Sequence, residues 1–169
     1  MKEHSVFLLQ GSNKGNKRKY LDSSLTLIYK KIGRIISKSS LFACEGWNMD
    51  ENTPIFYNRV LHIKTLHSPI DILKNITEIE NLLGRNPKKK NLLKKYEDRE
   101  IDIDILFYDR IIIKSFILTI PHPLLHFRRF ILEPMCEIAP NKFHPIFHLT
   151  ILEILGLCID HCKIKKLKK

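Results

Sequence analysis

Two aspartates separated by one residue are the strongest chemical feature of this 169-residue sequence. Asp102 and Asp104 lie in the run IDIDI. Strand alternation would place both carboxylates on one face, about 6.7 Å apart along the chain, with the three isoleucines facing the core. Carboxylates this close repel each other, and oxygen ligands at this spacing suit Mg²⁺ held together with substrate phosphates. The alternative is the solvated outer face of a half-buried strand.

Two further segments carry groups suited to phosphate contacts. Gly11-Ser12-Asn13-Lys14-Gly15 follows the apolar residues 6–9, so its backbone N–H groups can approach an anion or a polar ring. It lacks the Lys-Ser/Thr of a P-loop and the three glycines of a dinucleotide site, and an ordinary strand-to-helix turn is the alternative. His122 lies between two prolines, six residues before Arg128-Arg129. It is either a phosphate contact or a histidine packed in a proline turn.

A third set of residues could hold a heterocycle. Phe56-Tyr57-Asn58 combines flat rings with an amide that both donates and accepts hydrogen bonds, although an aromatic at a strand start also fits a core position. The histidine pairs His122/His126 and His144/His148 offer a zinc alternative. A proline inside each pair disfavours the continuous helix that such a zinc site needs.

The charge predicts anionic partners. The sequence has 29 Lys and Arg against 18 Asp and Glu, a net charge of +11, and 20 of the 29 lie in residues 14–19, 30–38, 85–99 and 163–169. Residues 85–99 are predicted to form a long basic loop that binds a ligand. Residues 163–169 are predicted to be a frayed, solvated end, with a nucleic-acid-binding tail as the alternative. At 44% apolar and 28% charged, the composition excludes a disordered or fibrous chain.

The lack of a recognisable targeting signal and the pattern of cysteines predict a cytoplasmic protein. The first apolar run, residues 6–9, is too short for a signal peptide, and no stretch approaches a membrane span, so we expect no membrane partner. The four cysteines are scattered and are predicted to be reduced thiols: Cys44, Cys136, Cys158 and Cys162.

Hydrophobic periodicity predicts an alternation of strands and helices that would position these groups. Strands are predicted at residues 6–9, 35–42, 57–63 and 101–107, with a polar loop over 44–54, and helices at 21–32, 129–136 and 150–158. A further helix should begin at Ser68-Pro69-Ile70-Asp71, with a hydroxyl N-cap and proline at its first position, and end at Gly84.

Taken in order, four blocks resemble the 6-hydroxymethyl-7,8-dihydropterin pyrophosphokinase family of folate biosynthesis. They are Gly11-Ser12-Asn13, Phe56-Tyr57-Asn58, residues 98–106 with the sequence DREIDIDIL, and Pro121-His122-Pro123 running to Arg128-Arg129-Phe130. The similarity continues to His144-Pro145 and covers about residues 5–156. Each block alone is weak, but the ordered set is specific.

The resemblance implies one α+β domain with a ferredoxin-like antiparallel sheet and helices packed on it, over residues 1–162, followed by the basic tail 163–169. It implies transfer of pyrophosphate from ATP to the pterin hydroxymethyl group with release of AMP. Two Mg²⁺ ions would rest on Asp102 and Asp104, bridging the ATP phosphates to the pterin hydroxyl. We expect a monomer that binds ATP and a reduced pterin and no nucleic acid.

The same resemblance assigns the site residues. Arg99 and Arg128, with Asp102 and Asp104, are the expected catalytic set, the two arginines stabilising charge on the transferring group. The implied ATP contacts are Glu80, Arg85, Tyr96, Arg99, Ile105, His122 and Arg128. The implied pterin contacts are Gly11, Cys44, Glu45, Trp47, Phe56, Asn58 and Phe130, with Phe56 and Phe130 sandwiching the ring and Asn58 pairing with its polar edge.

Three departures from the family pattern concern these sites. Glu97-Asp98 replaces the usual Gly-Pro or similar pair before Arg99, Tyr96 replaces a tryptophan often found there, and Cys44-Glu45 replaces threonine-proline. The function from another class is an RNA-binding module, because a basic ferredoxin-like sheet is a common platform for RNA. Against it, the chain lacks the glycine-aromatic signature of that module, and two aspartates would lie where phosphates should bind.

Overall fold

A computed structural model of the chain describes residues 2–47, 49, 52–84 and 98–168. None of the helices among these residues combines the length and apolar character needed to cross a membrane. A short 3-10 helix lies at Leu125–Phe127. The elements in chain order are β1 (His4–Ser12), α1 (Lys17–Lys31), β2 (Arg34–Lys38), β3 (Phe42–Cys44), β4 (Phe56–Thr65), α2 (Pro69–Leu82), β5 (Asp102–Tyr108), β6 (Ile113–Lys114), β7 (Thr119–Ile120), α3 (Arg129–Ile138), β8 (Phe143–His144), β9 (Leu149–Thr150), α4 (Ile151–Leu157) and β10 (Ile164–Lys166).

Six strands form one antiparallel sheet. Its order is β10-β3-β4-β1-β5. Strands β2 and β3 both pair with β4, each along a different part of it. Strands β1, β4 and β5, with β2 and β3 together counted as one, have the order of a ferredoxin-like split β-α-β fold, which confirms the predicted fold class. Strand β5 lies at one edge of the described sheet, next to β1.

The single strand predicted over residues 35–42 is wrong, because the chain forms two strands there. A register shift between Ile35 and Ser37 bends β2. Ser39 then contacts β4 partly through its side chain: its N–H donates to the Val60 carbonyl at 2.9 Å, and its hydroxyl accepts from the Val60 N–H at 3.0 Å. The hydroxyl replaces one backbone ladder partner, which interrupts the backbone pairing with β4 between β2 and β3.

Helices cover both faces of the sheet. Alternate residues of β1 point to opposite sides: Val6 and Leu8 pack in the core beneath α1 and α2, while Phe7 and Leu9 pack in the core with α3 and α4. The predicted start of α2 is confirmed, since the Ser68 hydroxyl accepts from the Asp71 N–H at 3.2 Å. The helix ends just before Gly84, whose φ of +112° lies in the left-handed region.

The prediction of a frayed end over residues 163–169 is wrong for the part that the structure describes. Ile164–Lys166 pair antiparallel with Phe42–Cys44, and the Leu167 N–H donates to the Leu41 carbonyl at 2.8 Å. Leu167 also packs against the core beneath α1 and α2. Strand β3 would otherwise be an edge with unpaired backbone groups, and pairing with β10 satisfies them.

Deleting residues 163–169 is expected to lower the free energy of unfolding by about 1–3 kcal/mol, because several net-stabilising backbone hydrogen bonds and the Leu167 contact are lost together. Thermal unfolding of the shortened and full chains measures this. The double substitution Lys163→Thr and Lys165→Thr is the control, since it removes charge and keeps the strand. An equal loss in the control would show that charge, not pairing, holds this segment.

Candidate active site

The two aspartates lie on one face of the edge strand β5, as predicted. Ile103 and Ile105, which alternate with them, are 4% and 6% exposed and pack in the core beneath α1 and α2. The carboxylates of Asp102 and Asp104 therefore lie on the opposite side of the sheet, the side of α3 and α4. Their side chains are 23% and 37% exposed, so both are accessible to a ligand.

Glu80 holds the backbone between the two aspartates. As an edge strand, β5 has N–H groups that no neighbouring strand in the described sheet satisfies. The Ile103 N–H donates to the Glu80 Oε1 at 2.9 Å, and Glu80, on α2, is only 4% exposed. This contact fixes the backbone of β5 at the residue between the two aspartates. The ATP contact that the resemblance implies for Glu80 stays a prediction.

The carboxylate pair is electrostatically asymmetric. The Arg99 Nη1 lies 2.8 Å from the Asp102 Oδ1 and forms an ion pair with it. Burial, together with the negative charge of Asp102, raises the pKa of Asp104 well above its usual value. A cation placed between the two oxygens would remove this repulsion, so the pair is suited to bind one.

His122 faces the same carboxylates. Its Nδ1 accepts from the Leu124 N–H at 3.2 Å, which leaves the ring proton of the neutral form on Nε2, 4.0 Å from the Asp104 Oδ2. Burial and the nearby Arg128 charge lower the pKa of His122 to about 4, so the ring is neutral at pH 7. The backbone N–H of His122 donates to the Leu106 carbonyl of β5 at 3.0 Å, which anchors the Pro-His-Pro segment beside the aspartates.

Four of the residues assigned to the pterin come together at the ends of three strands. The register pairs Gly11 with Asn58 and Cys44 with Phe56. Asn58 is 3% exposed, and its Nδ2 donates to the Cys44 Sγ at 3.0 Å. Cys44, predicted to begin a loop, is instead the last residue of β3; burial raises the pKa of its thiol to about 12, which keeps it neutral.

Arg128 joins the aspartates to the aromatic residues. Its guanidinium carbon lies 4.8 Å from the centre of the Trp47 ring and 5.7 Å from that of Phe130. The positive charge of Arg128 lowers the pKa of His122 and opposes the rise in the pKa of Asp104. Trp47 and Phe130 are both half-buried, so each residue keeps accessible surface.

Other predicted site residues lie elsewhere. The side chain of Ile105 is in the core beneath α1 and α2, on the opposite face from the carboxylates. Glu45 is exposed, and its carbonyl accepts from the Cys162 thiol at 3.7 Å. The remaining predictions lie outside the described residues: Arg85, Tyr96, Glu97 and the lysines at 88, 89, 90, 94 and 95.

Asn13 was given no role of its own from the sequence. It is 2% exposed and hydrogen-bonds to both Asp98 and Arg99. The signal that could have found it is a second asparagine, Asn16, three residues later, which is the N-cap of α1. Because Asn16 caps the helix, the Asn13 side chain is not needed there and bonds to Asp98 and Arg99 instead.

The pterin contact that the resemblance implies for Gly11 predicts that its replacement by alanine weakens pterin binding about 10-fold, because the new Cβ would lie 3.0 Å from the Asn58 Oδ1 and push that amide aside. Steady-state kinetics with each substrate varied in turn measure the effect as a rise in KM for the pterin with an unchanged KM for ATP. Gly156→Ala is the control, since nothing lies within 4 Å of a Cβ there. A rise in both KM values would contradict the assignment.

Solved structures share this arrangement of strands and helices. The HPPK-DHPS of Plasmodium falciparum, crystallised as wild type with pteroate, superposes with a TM-score of 0.73 over 92% of this chain and 44% of that chain. The sequences are 19% identical, so the likeness is one of fold. The match confirms a domain of the ferredoxin-like α+β class found in that larger protein.

Sequence comparison gives the family. The model of the 7,8-dihydro-6-hydroxymethylpterin-pyrophosphokinase family matches residues 7–140. The chain is 34% identical over 149 residues to the 2-amino-4-hydroxy-6-hydroxymethyldihydropteridine pyrophosphokinase of Aquifex aeolicus, covering 88% of this chain and 89% of that one. It is 37% identical to a folic acid synthesis protein of Dictyostelium discoideum over 86% of its own length, but spans only 21% of that protein. The chain belongs to the 7,8-dihydro-6-hydroxymethylpterin-pyrophosphokinase family, which confirms the resemblance.

Proposed function

We propose that this chain transfers the pyrophosphoryl group of ATP to 6-hydroxymethyl-7,8-dihydropterin. The hydroxymethyl oxygen attacks the β-phosphorus, the bond from that phosphorus to the oxygen bridging it to the α-phosphorus breaks, AMP leaves, and the hydroxyl proton is released. One observation carries the proposal beyond family membership: Asp102 and Asp104, with Arg99 beside them, lie on the same face of the sheet as Asn58, and Arg128 contacts the Trp47 and Phe130 rings.

The carboxylate pair fits magnesium. Among the residues that the structure describes, no group of three or more His, Cys, Asp or Glu could ligate a metal. Two carboxylates alone are the protein share typical of Mg²⁺, whose other ligands are water and substrate phosphates. When bound, Mg²⁺ would neutralise phosphate charge and orient the transferred group. Asp102 and Asp104 would hold it, because burial and the charge of Asp102 raise the pKa of Asp104 and a cation would offset both.

The arginines would act on the triphosphate. Phosphoryl transfer depends on positioning and charge stabilisation rather than covalent help from the protein, and a guanidinium offers several donors in a fixed plane. Arg99 is oriented by its ion pair to Asp102, and Arg128 by the Trp47 and Phe130 rings. The neutral His122 can donate from Nε2 to a phosphate oxygen without altering the charge of the site.

Asn58 would read the pterin. Because one Nδ2 proton is used by the Cys44 sulfur, the amide orientation is fixed, and Oδ1 with the second Nδ2 proton forms an adjacent acceptor and donor. The polar edge of a pterin presents the complementary pair. Phe56 and Phe130 would cover the two ring faces, with Trp47 above, and the buried amide would discriminate against rings that lack this edge.

The test is AMP release. Purified protein is incubated with ATP, Mg²⁺ and the reduced hydroxymethylpterin, and nucleotides are separated by chromatography. We expect AMP and the pterin diphosphate in equal amounts. The analogue carrying a methyl in place of the hydroxymethyl group is the control and should give no AMP. Absence of AMP above background, or ADP in its place, would contradict the proposal.

The fold gives less support to the RNA-binding alternative than to the pyrophosphokinase. Such a module needs an open sheet face on which bases stack. Over the described residues, α1 and α2 pack on one face of the sheet, and α3 and α4 on the other. A tight, salt-sensitive RNA complex unaffected by ATP and Mg²⁺ would nevertheless favour it.

A further inference from the structure

Asn13 ties the end of β1 to the start of β5. The last ladder pair between these strands is Gly11 with Asp102. Beyond it, the Asn13 N–H donates to the Arg99 carbonyl at 3.1 Å, and the Arg99 N–H donates to the Asn13 Oδ1 at 2.7 Å. The side chain thus stands in for a backbone carbonyl and continues the pairing past the end of the ladder.

The nitrogen of the Asn13 side-chain amide contacts Asp98, the residue before Arg99. The Asn13 Nδ2 donates to the Asp98 Oδ1 at 2.8 Å, so three polar groups of Asn13 contact Asp98 and Arg99. Asn13 is 2% exposed, whereas Asp98 is exposed. These hydrogen bonds leave the buried side-chain amide one low-energy orientation, because any other orientation would leave a buried donor or acceptor without a partner.

This anchor lies where the two halves of the site meet. Gly11, two residues before Asn13, pairs across the sheet with Asn58, a residue assigned to the pterin. Arg99, on the other side of the anchor, forms the 2.8 Å ion pair with Asp102. The neighbouring Lys14 to Glu100 ion pair, 2.7 Å long, joins the same two segments, but Lys14 is 54% exposed and the pair is correspondingly weak.

We propose that Asn13 is a positioning residue, which holds the backbone of Arg99 so that its guanidinium lies against Asp102 and the triphosphate, and that Asp98 is its partner in this task. The inference rests on the proposed function. It also gives Asp98 a role: the acid that departs from the family pattern accepts a hydrogen bond that orients Asn13.

Removing the amide should affect the nucleotide half of the reaction. For Asn13→Ala we expect kcat/KM for ATP to fall about 10- to 100-fold, because a reacting group misplaced by about 1 Å costs that much, while KM for the pterin stays unchanged. Binding of a non-hydrolysable ATP analogue, measured by calorimetry, should weaken in parallel. In an Arg99→Ala background, Asn13→Ala should add less than about a 3-fold loss, since the group it positions is gone.

A charge exchange separates positioning from simple support of the fold. Asn13→Asp should lose about 10-fold, because its carboxylate faces that of Asp98. Asp98→Asn alone should stay near wild type, since the new amide oxygen still accepts. The double variant Asn13→Asp with Asp98→Asn reverses donor and acceptor, keeps the net charge of the native chain, and should recover to within about 3-fold of it.

Asn16→Ala is the matched control, an asparagine of the same loop that caps α1 through the Lys19 N–H. It should lower the unfolding temperature and leave the ATP parameters unchanged. If the native chain releases AMP but the exchange variant fails to recover while melting normally, or Asn13→Ala leaves the ATP parameters unchanged, the positioning role is wrong. If the native chain releases no AMP, the proposed function fails instead, and analogue binding still tests Asn13.

Discussion

Replacing Asp102 or Asp104 by asparagine should lower kcat about 10³-fold, the largest loss expected for any single change in this chain. Under the proposed function, each carboxylate would supply charge and an oxygen ligand to a cation that is worth several kcal/mol to the transfer, whereas an amide would supply neither charge nor comparable affinity. The two losses should not add in the double variant, because removing either carboxylate already breaks the pair.

The same substitutions should leave the fold intact, and Asp104→Asn should stabilise it. Burial and the Asp102 charge raise the pKa of Asp104, so in metal-free protein the ionised side chain destabilises the native state. The native chain should therefore gain unfolding free energy as the pH falls from about 8 to about 5, and the Asp104→Asn variant should gain less. Asp102→Asn also loses the Arg99 ion pair, so no such gain is expected for it.

AMP release at saturating substrates and thermal unfolding without Mg²⁺ measure both effects. The control is Glu78→Gln, an exposed acid on α2 whose partner is Lys31. It should leave turnover unchanged. Near-native turnover in both aspartate variants would remove the carboxylates from the mechanism, and a lost fold in both would show them to be structural.

Replacing Asn58 by alanine should lower kcat/KM for the pterin about 10²-fold, or about 2.7 kcal/mol, while KM for ATP stays unchanged. The amide is 3% exposed, so the polar edge of the ring would enter a desolvated site without its partner. The neutral Cys44 thiol would also lose its donor, and it cannot replace a planar amide.

Kinetics with each substrate varied separately distinguish this result from general damage. Asn75→Ala is the matched control, because Asn75 makes a comparable hydrogen bond, to the Lys31 carbonyl at 3.0 Å, where α1 ends. It should reduce stability and leave both KM values unchanged. An equal fall of kcat/KM for both substrates in the Asn58 variant would count against a pterin contact.

Local patterns predicted most of the elements. The alternation of Asp102 and Asp104 with isoleucines is confirmed because the period of a strand is two whatever surrounds it. The start of α2 is confirmed because Ser68 and Pro69 act on the adjacent turn. The errors came where a partner distant in sequence decides the outcome: Ser39 pairs with Val60, and β10 pairs with β3.

The candidate site divides in the same way. Ordered motif blocks selected Asn58, Arg99, His122 and Arg128, and the fold brings them to one side of the sheet. The sequence could not show that Asn58 is oriented by Cys44, that Glu80 holds the Ile103 backbone, or that Asn13 anchors Arg99. Each of these contacts joins residues 14 or more positions apart, and residue type alone does not select one partner among many.

By itself, the sequence determined which groups are available: a carboxylate pair on one strand face, two arginines, an aromatic and amide set, and the family to which their order belongs. Only the tertiary structure decided how these groups act on one another. Buried hydrogen bonds such as those of Asn13, Asn58 and Glu80 form because a donor without a partner is costly away from water. Which donor meets which acceptor depends on strand register and helix packing, and those are properties of the whole sheet rather than of any segment.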